Sequence, residues 1–206
     1  IQRVEELLGV KFVKVPSTDW NRHLAALESG ACAIAPTIVR TAERERYAFF
    51  TTPYATVPVI LITSAATKGM VPLDTLPGRR VGVVSGYATE RYLKDLAQGR
   101  FDVVPVADVS EGLHGLSFGQ LDAFVENFAV AAYHISKEGI PNLRVAGRTD
   151  YAFAWSIGVS RHYPLLFSSI EKALAAIPPE GMETLRKRWI SLDSGDNDPI
   201  QFWTYM

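Results

Sequence analysis

The chain has 206 residues, of which 48% are hydrophobic, and a formal charge of −1. That composition supports a packed core and argues against disorder, while near-neutral charge argues against a nucleic-acid binder, which carries a basic excess. No apolar run approaches the ~20 residues that span a bilayer, and the length suits one large domain or two small lobes.

In chain order, "IQRVEELLG" places Ile1, Val4, Leu7 and Leu8 at helical spacing, with Gly9 as a stop. "VKFVKV" alternates and predicts a strand. "PSTDWNRHLAALESG" has a Ser/Thr/Asp start signal, an apolar stripe at Trp20, Leu24 and Leu27, and a stop at Gly30. "ACAIA" reads as a buried strand in which Cys32, with no second cysteine to pair with, behaves as a small hydrophobe. A short helix follows from Thr41. "TVPVILITS" is the next strand, with Pro58 suited to a strand start or edge.

A second alternating run follows "PLDTLPGRR": strand "RVGVV", helix "YATERYLKDLAQG", strand "FDVVPV", helix "DVSEGLHGLSFG" capped by Asp108, strand "LDAFV", helix "NFAVAAYHISKEG" and strand "NLRVAG". "YAFAWSIGV" is one more strand. Helices from Pro164 to Ile177 and from Pro179 to Trp189 close the chain. Strands alternating with helices indicate parallel sheets covered on both faces. Two such sets, joined by two β-rich connectors, predict a two-lobed α/β architecture: 1–56 and 156–206 as lobe 1, 57–155 as lobe 2.

Phosphate-loop and dinucleotide glycine motifs are absent, and no cofactor is implied. His23, His114, His134 and His162 lie on separate elements without metal-ligand spacing and read as helix-surface or boundary residues. Ser85 is not in a nucleophile elbow. "DSGDND" reads as solvated, and "RKR" at 186–188 as cations offsetting a helix dipole. What remains lies at strand ends and helix starts, where open α/β sheets bind ligands. Trp20 opens a helix. Thr37 to Arg44, including Val39, follows a buried strand. Ser85, Tyr87, Ala88 and Thr89 open a helix whose free N–H groups favour an anion. Glu126 and Asn127 come straight after "LDAFV". Each also fits a plainer role: core tryptophan, solvated arginine, helix cap.

The segments "DWNRHLAALESGACAIAPT", "RTAERERYAFFTTPY", "LPGRRVGVVSGYATERYL", "GLSFGQLDAFVENFAVAAYHI" and "AFAWSIGVSRHYPLLFSSIEKALAAIPPEGMETLRKRWISL" together resemble the bacterial family 3 solute-binding proteins, the type II Venus flytraps. The Thr-x-x-Arg turn leading into a Phe-Thr-x-x-Tyr strand is the most specific. The resemblance implies two lobes, each a mostly parallel sheet flanked by helices, joined by two hinge strands and closing on a ligand in the interlobe cleft. By the same resemblance, Arg44 grips a ligand carboxylate, Trp20 stacks on the ligand, Thr37 offers backbone or hydroxyl contacts, and Ser85 to Thr89 add second-lobe contacts.

Two departures bear on the ligand. Val39 stands where amino-acid binders commonly carry Ser or Thr, and Asn127 where they carry the aspartate that meets an α-ammonium. Glu126 is adjacent, but neighbouring strand residues point to opposite faces. A small carboxylate or amino-acid-like solute is the expected partner. The resemblance leans toward an extracytoplasmic, periplasmic sensor domain of a transmembrane histidine kinase, tethered to the membrane by flanking segments. A homodimer of the full-length receptor is compatible with it. The aromatic tail "PIQFWTYM" is read as membrane-proximal, and the family's first strand as preceding Ile1 or missing. A free solute-binding protein of an ABC transporter is the second reading. A dehydratase built on the Glu126 carboxylate is the third.

Overall fold

A computed structural model describes residues 1–16 and 19–189. The readings of "DSGDND" and of the aromatic tail fall outside these residues, and those of the "RKR" side chains fall outside the described side chains. The chain divides into two compact units, which are taken in turn. Unit 1 holds Ile1–Thr56 and the described residues from Ala154 onward; unit 2 holds Val57–Phe153.

Unit 1 contains helices α1 (Gln2–Leu8) and α2 (Trp20–Ser29), strands β1 (Ile34–Val39) and β2 (Ala48–Phe50), and a 3₁₀ turn at Arg44–Arg46. It also contains the carboxyl-terminal part of the long strand β7 (Leu143–Ser160), and helices α6 (Pro164–Ala175) and α7 (Pro179–Trp189). The Asp19 side chain caps α2 by accepting the Arg22 N–H at 2.8 Å. Gly9 and Gly30 take left-handed conformations at the ends of α1 and α2. One face of β7 sends Ile157 and Val159 into a core with Val4, Ile170 and Ala173. On the other face, Leu27, Ala35 and Ile38 form a second cluster. Gly158 lies against it: a Cβ there would sit 2.8 Å from the Ile38 side chain.

Here the structure departs from the alternation in the sequence. "VKFVKV" forms no strand; Val13 is 88% exposed, and Phe12 alone of that run packs half-buried against the core. An alternating run without a neighbour to pair with gains no ladder bonds. The parallel reading therefore lacks its strand in unit 1, where β1 and β2 both pair with β7 antiparallel. The predicted helix from Thr41 is a single 3₁₀ turn.

Unit 2 carries β3 (Ala55–Ser64, from Val57 on), β4 (Arg80–Val84), β5 (Asp102–Val106), β6 (Ala123–Asn127) and the first part of β7 (Leu143–Ser160). Its helices are α3 (Ala88–Ala97), α4 (Val109–Ser117) and α5 (Phe128–Glu138). The strand order is β7-β3-β6-β4-β5. β4 pairs parallel with both β5 and β6, as the alternation predicts, whereas β3 and β6 are antiparallel. Asp108 caps α4 as expected, accepting the Glu111 N–H at 2.8 Å. Ile60, Ile62, Leu113, Leu116, Phe124, Phe128 and Ile135 build the core under α4 and α5. Gly112 lets α4 approach β6, since a Cβ there would sit 2.2 Å from the Phe124 ring.

Pro58 lies inside β3, which has neighbours on both sides, rather than at an edge. Pairing with β6 begins one residue later, at Val59↔Asn127, so the missing N–H interrupts no β3–β6 pair. The two strands expected at 142–147 and 151–159 are one strand, β7. Thr149 sustains it at the join by donating its hydroxyl to Val59 O at 3.1 Å.

Candidate functional site

In unit 1 the ladder between β1 and β7 slips between Ala35 and Ile38: three steps on β1 match two on β7. Pro36 and Thr37 occupy this bulge, where a proline lacking its N–H costs no ladder bond. The Tyr54 hydroxyl donates to Pro36 O at 2.9 Å and meets Thr37 Oγ1 at 2.8 Å. A phenol has one proton. With that proton on Pro36 O, Thr37 donates to Tyr54, and what the exposed Thr37 hydroxyl offers a ligand is acceptor capacity.

After β1 the chain turns through Thr41, whose Oγ1 accepts the Arg44 N–H at 3.3 Å. This turn buries Arg44, which is 5% exposed, and points its guanidinium back: Nη1 donates to Val39 O at 2.7 Å. The same guanidinium lies 5.6 Å from the Trp20 ring centroid, and Trp20 stacks on His23 at 5.5 Å. The structure thus brings Trp20, Val39 and Arg44 together. Val39 acts through its carbonyl. Arg40 pairs with Glu45 on the surface, and Arg46 is exposed.

In unit 2 the turn after β4 is Ser85-Gly86-Tyr87, and Ala88 and Thr89 open α3. Gly86, in a left-handed conformation, gives its N–H to Glu90 Oε2 at 2.7 Å. Burial raises the Glu90 carboxyl, but hydrogen bonds from Lys94 and from the Gly86 N–H outweigh it and hold the group below its usual range. An internal anion therefore already answers part of the N-terminal field that the sequence reading reserved for a ligand anion. Glu90 was not singled out; a glutamate four residues after a turn glycine at a helix start was the available signal. Tyr87 packs edge-on to Phe153, and Phe153, Tyr151 and Tyr92 continue the run of ring contacts. Burial, and then the Glu126 charge, raise the Tyr87 phenol.

Glu126 and Asn127 are the last two residues of β6, inside the strand rather than beyond it. They sit on opposite faces in the ladder, yet their side chains meet. Glu126 Oε1 accepts both the main-chain N–H and Nδ2 of Asn127, each at 2.7 Å. Asn127 Oδ1 caps α5 by accepting the Val130 N–H at 3.0 Å. Glu126 is 1% exposed, and burial raises its carboxyl to about 7 against the pull of the two Asn127 hydrogen bonds.

The histidines are less separate than the sequence implied. His114 of α4 and His134 of α5 both meet the Glu138 carboxylate, at 3.0 and 2.7 Å. No group of three or more His, Cys, Asp or Glu among the described residues is arranged to hold a metal. No described helix is long and apolar enough to cross a membrane.

The fold and these strand-end sites define a class: an α/β binding protein of the periplasmic Venus flytrap type. Residues 1–192 match the bacterial extracellular solute-binding proteins, family 3, and the chain belongs to that family. It is 27% identical over 204 residues to the virulence sensor protein BvgS of Bordetella pertussis, covering 97% of this chain and 15% of BvgS. It is 26% identical over 195 residues to the L-cystine-binding protein TcyJ of Escherichia coli, covering 93% of this chain and 72% of TcyJ. Among solved structures it resembles the periplasmic VFT2 domain of Bordetella pertussis BvgS, with a TM-score of 0.80 at 25% identity, covering 91% of this chain and 80% of that one.

Proposed function

We propose that the chain is the extracytoplasmic, periplasmic ligand-binding domain of a transmembrane sensor, of the histidine-kinase class, and that it binds a small carboxylate or amino-acid-like solute. The buried Arg44, pinned to Val39 O and lying over Trp20, carries this reading. A guanidinium held in place by its own fold loses little freedom on meeting a carboxylate, and such a charge-assisted pair contributes about 1.5–3 kcal/mol. Thr37, in the β1 bulge, offers an acceptor. Ser85, Tyr87, Ala88, Thr89, Glu126 and Asn127 supply the second set of contacts.

The sensor reading draws on the likeness to BvgS across 97% of this chain. A free solute-binding protein is the second reading, favoured by the 72% coverage of TcyJ. A catalytic role would rest on Glu126, whose Oε1 is held by amide donors rather than by an acid–base partner. A thermal-shift screen of carboxylates and amino acids tests the binding reading, because a bound ligand raises stability by mass action. At least one carboxylate raises the melting temperature; a screen in which none does contradicts the reading.

A further inference from the structure

His23 stands three residues after Trp20 on α2, so the two side chains share one face of the helix. Their rings stack, with centroids 5.5 Å apart and planes 20° from parallel. The same Trp20 ring has the buried Arg44 guanidinium 5.6 Å from its centroid. One indole therefore joins a permanent cation to a group that becomes a cation in acid. The sequence places His23 at a helix surface or boundary; in the structure it is half-buried against Trp20 and still reached by solvent.

Burial holds the His23 imidazole below its ordinary value, and no neighbouring carboxylate works against it. The ring is therefore neutral at neutral pH and charges only in mild acid. An anion held at Arg44 alters that balance. Its negative charge favours the imidazolium, and by linkage the imidazolium favours the anion. Across the width of one indole, a separation of about 10 Å, coupling in a partly screened site amounts to about threefold or more in affinity.

We propose that His23 is a second, pH-dependent cation of the carboxylate site in unit 1: stacked on Trp20, it takes up a proton when a carboxylate binds at Arg44. It acts through its charge and its place on the Trp20 ring, without touching the ligand. This rests on the solute-binding reading above and adds a regulation to the same site, tighter binding in mild acid. The sign follows from the direction of the shift. His23 titrates below 6.5, so affinity rises as pH falls below about 6.5, before the carboxyl of the solute itself is protonated near 4.

The charged groups on the elements around α2 leave His23 as the group that titrates at this end of the helix. β1 and β2 carry none. On and before α2, Asp19 holds the Arg22 N–H and pairs with its guanidinium, and Glu28 is exposed. In the 3₁₀ turn and the residues leading into it, Glu45 pairs with Arg40, and Arg46 donates to Glu43 O. Tyr47 stays neutral, its phenol raised by burial against the pull of Arg44. After β7, Arg161 lies over the Phe49 ring, and His162 sits against Gly30 at the opposite end of α2.

The test is titration calorimetry of the 206-residue chain between pH 8 and 5.5, in buffers of different ionisation enthalpy. The probes are L-glutamate, L-alanine, 2-hydroxyglutarate and lactate. A probe that binds does so about threefold or more tightly at pH 5.5 than at pH 8, with uptake of a fraction of a proton at the acid end. His23→Phe keeps a ring on Trp20 without a titratable nitrogen, and its melting temperature reports its folding. In this variant the pH slope and the proton uptake disappear. Ring-nitrogen NMR of the wild type follows the same group without a substitution: the His23 titration midpoint rises when the probe saturates the protein. A slope that persists in folded His23→Phe, or a His23 midpoint that the bound probe does not move, overturns the proposal. Binding of equal strength at pH 8 and 5.5 overturns it too and leaves the solute-binding reading standing. Failure of every probe to bind at any pH overturns both.

Discussion

Arg44 donates from Nη1 to the main-chain oxygen of Val39 at 2.7 Å, so the last residue of β1 fixes the cation through its backbone. The side chain at 39 is free to be apolar, because the carbonyl orients the guanidinium whatever residue stands there. The hydroxyl missing from this position is thus no loss to the orientation of Arg44.

The Tyr54 hydroxyl links Pro36 O and Thr37 Oγ1, so it holds the β1 bulge in place. Tyr54→Phe removes both bonds and frees the Thr37 proton. A stability loss of about 1–2 kcal/mol is expected in denaturant unfolding. Thr37 also regains a donor, so binding of carboxylate probes strengthens relative to the wild type at matched folding. Unchanged stability would show that the bulge holds without Tyr54.

Glu126 makes stability depend on pH in a defined direction. Its folded-state value is raised from 4.5 to about 7, so the folded chain binds the proton more tightly than the unfolded one. The stabilisation is fully present below about 4.5 and is lost as pH rises through about 7. Glu126→Gln removes this slope. The variant gains on the wild type as pH climbs from 5 to 8, by about 3 kcal/mol at most. Parallel stability profiles for the two proteins over that range would contradict the burial of an ionisable carboxyl.

Gly112 sits where a methyl group would fall 2.2 Å from the Phe124 ring. Gly112→Ala gains helix propensity but forces α4 away from β6. Overpacking of this kind costs about 1–3 kcal/mol, which exceeds the propensity gain of about 1 kcal/mol. A lower melting temperature is expected, and a higher one would mean that α4 does not pack on Phe124.

The capped and glycine-stopped elements were legible in the sequence. Asp19, Gly30 and Asp108 mark helix ends as the sequence read them, and "RVGVV", "FDVVPV" and "LDAFV" form the strands it predicted. The family motif at Thr41 and Arg44 singled out this arginine as a carboxylate grip, and its burial is a feature of the structure that the motif did not give. Features that depend on tertiary partners were not legible. "VKFVKV" has strand-like alternation but no neighbour, and β7 continues through Thr149 because of a bond to Val59. The bulge at Pro36–Thr37 follows from register, which one strand's sequence does not contain. The meeting of Glu126 and Asn127 runs against the alternation rule, because the Glu126 side chain is long enough to bend back to the next N–H.

The central claim is that Arg44 anchors a ligand carboxylate, and calorimetry of wild type against Arg44→Lys tests it most directly. L-glutamate and 2-hydroxyglutarate serve as probes. Lysine keeps the charge but loses the planar fork, and the melting temperature of the unliganded variant reports its folding separately. The account predicts that at least one probe binds the wild type and that Arg44→Lys, still folded, binds it about tenfold or more weakly. Undiminished affinity in a folded Arg44→Lys variant would contradict it.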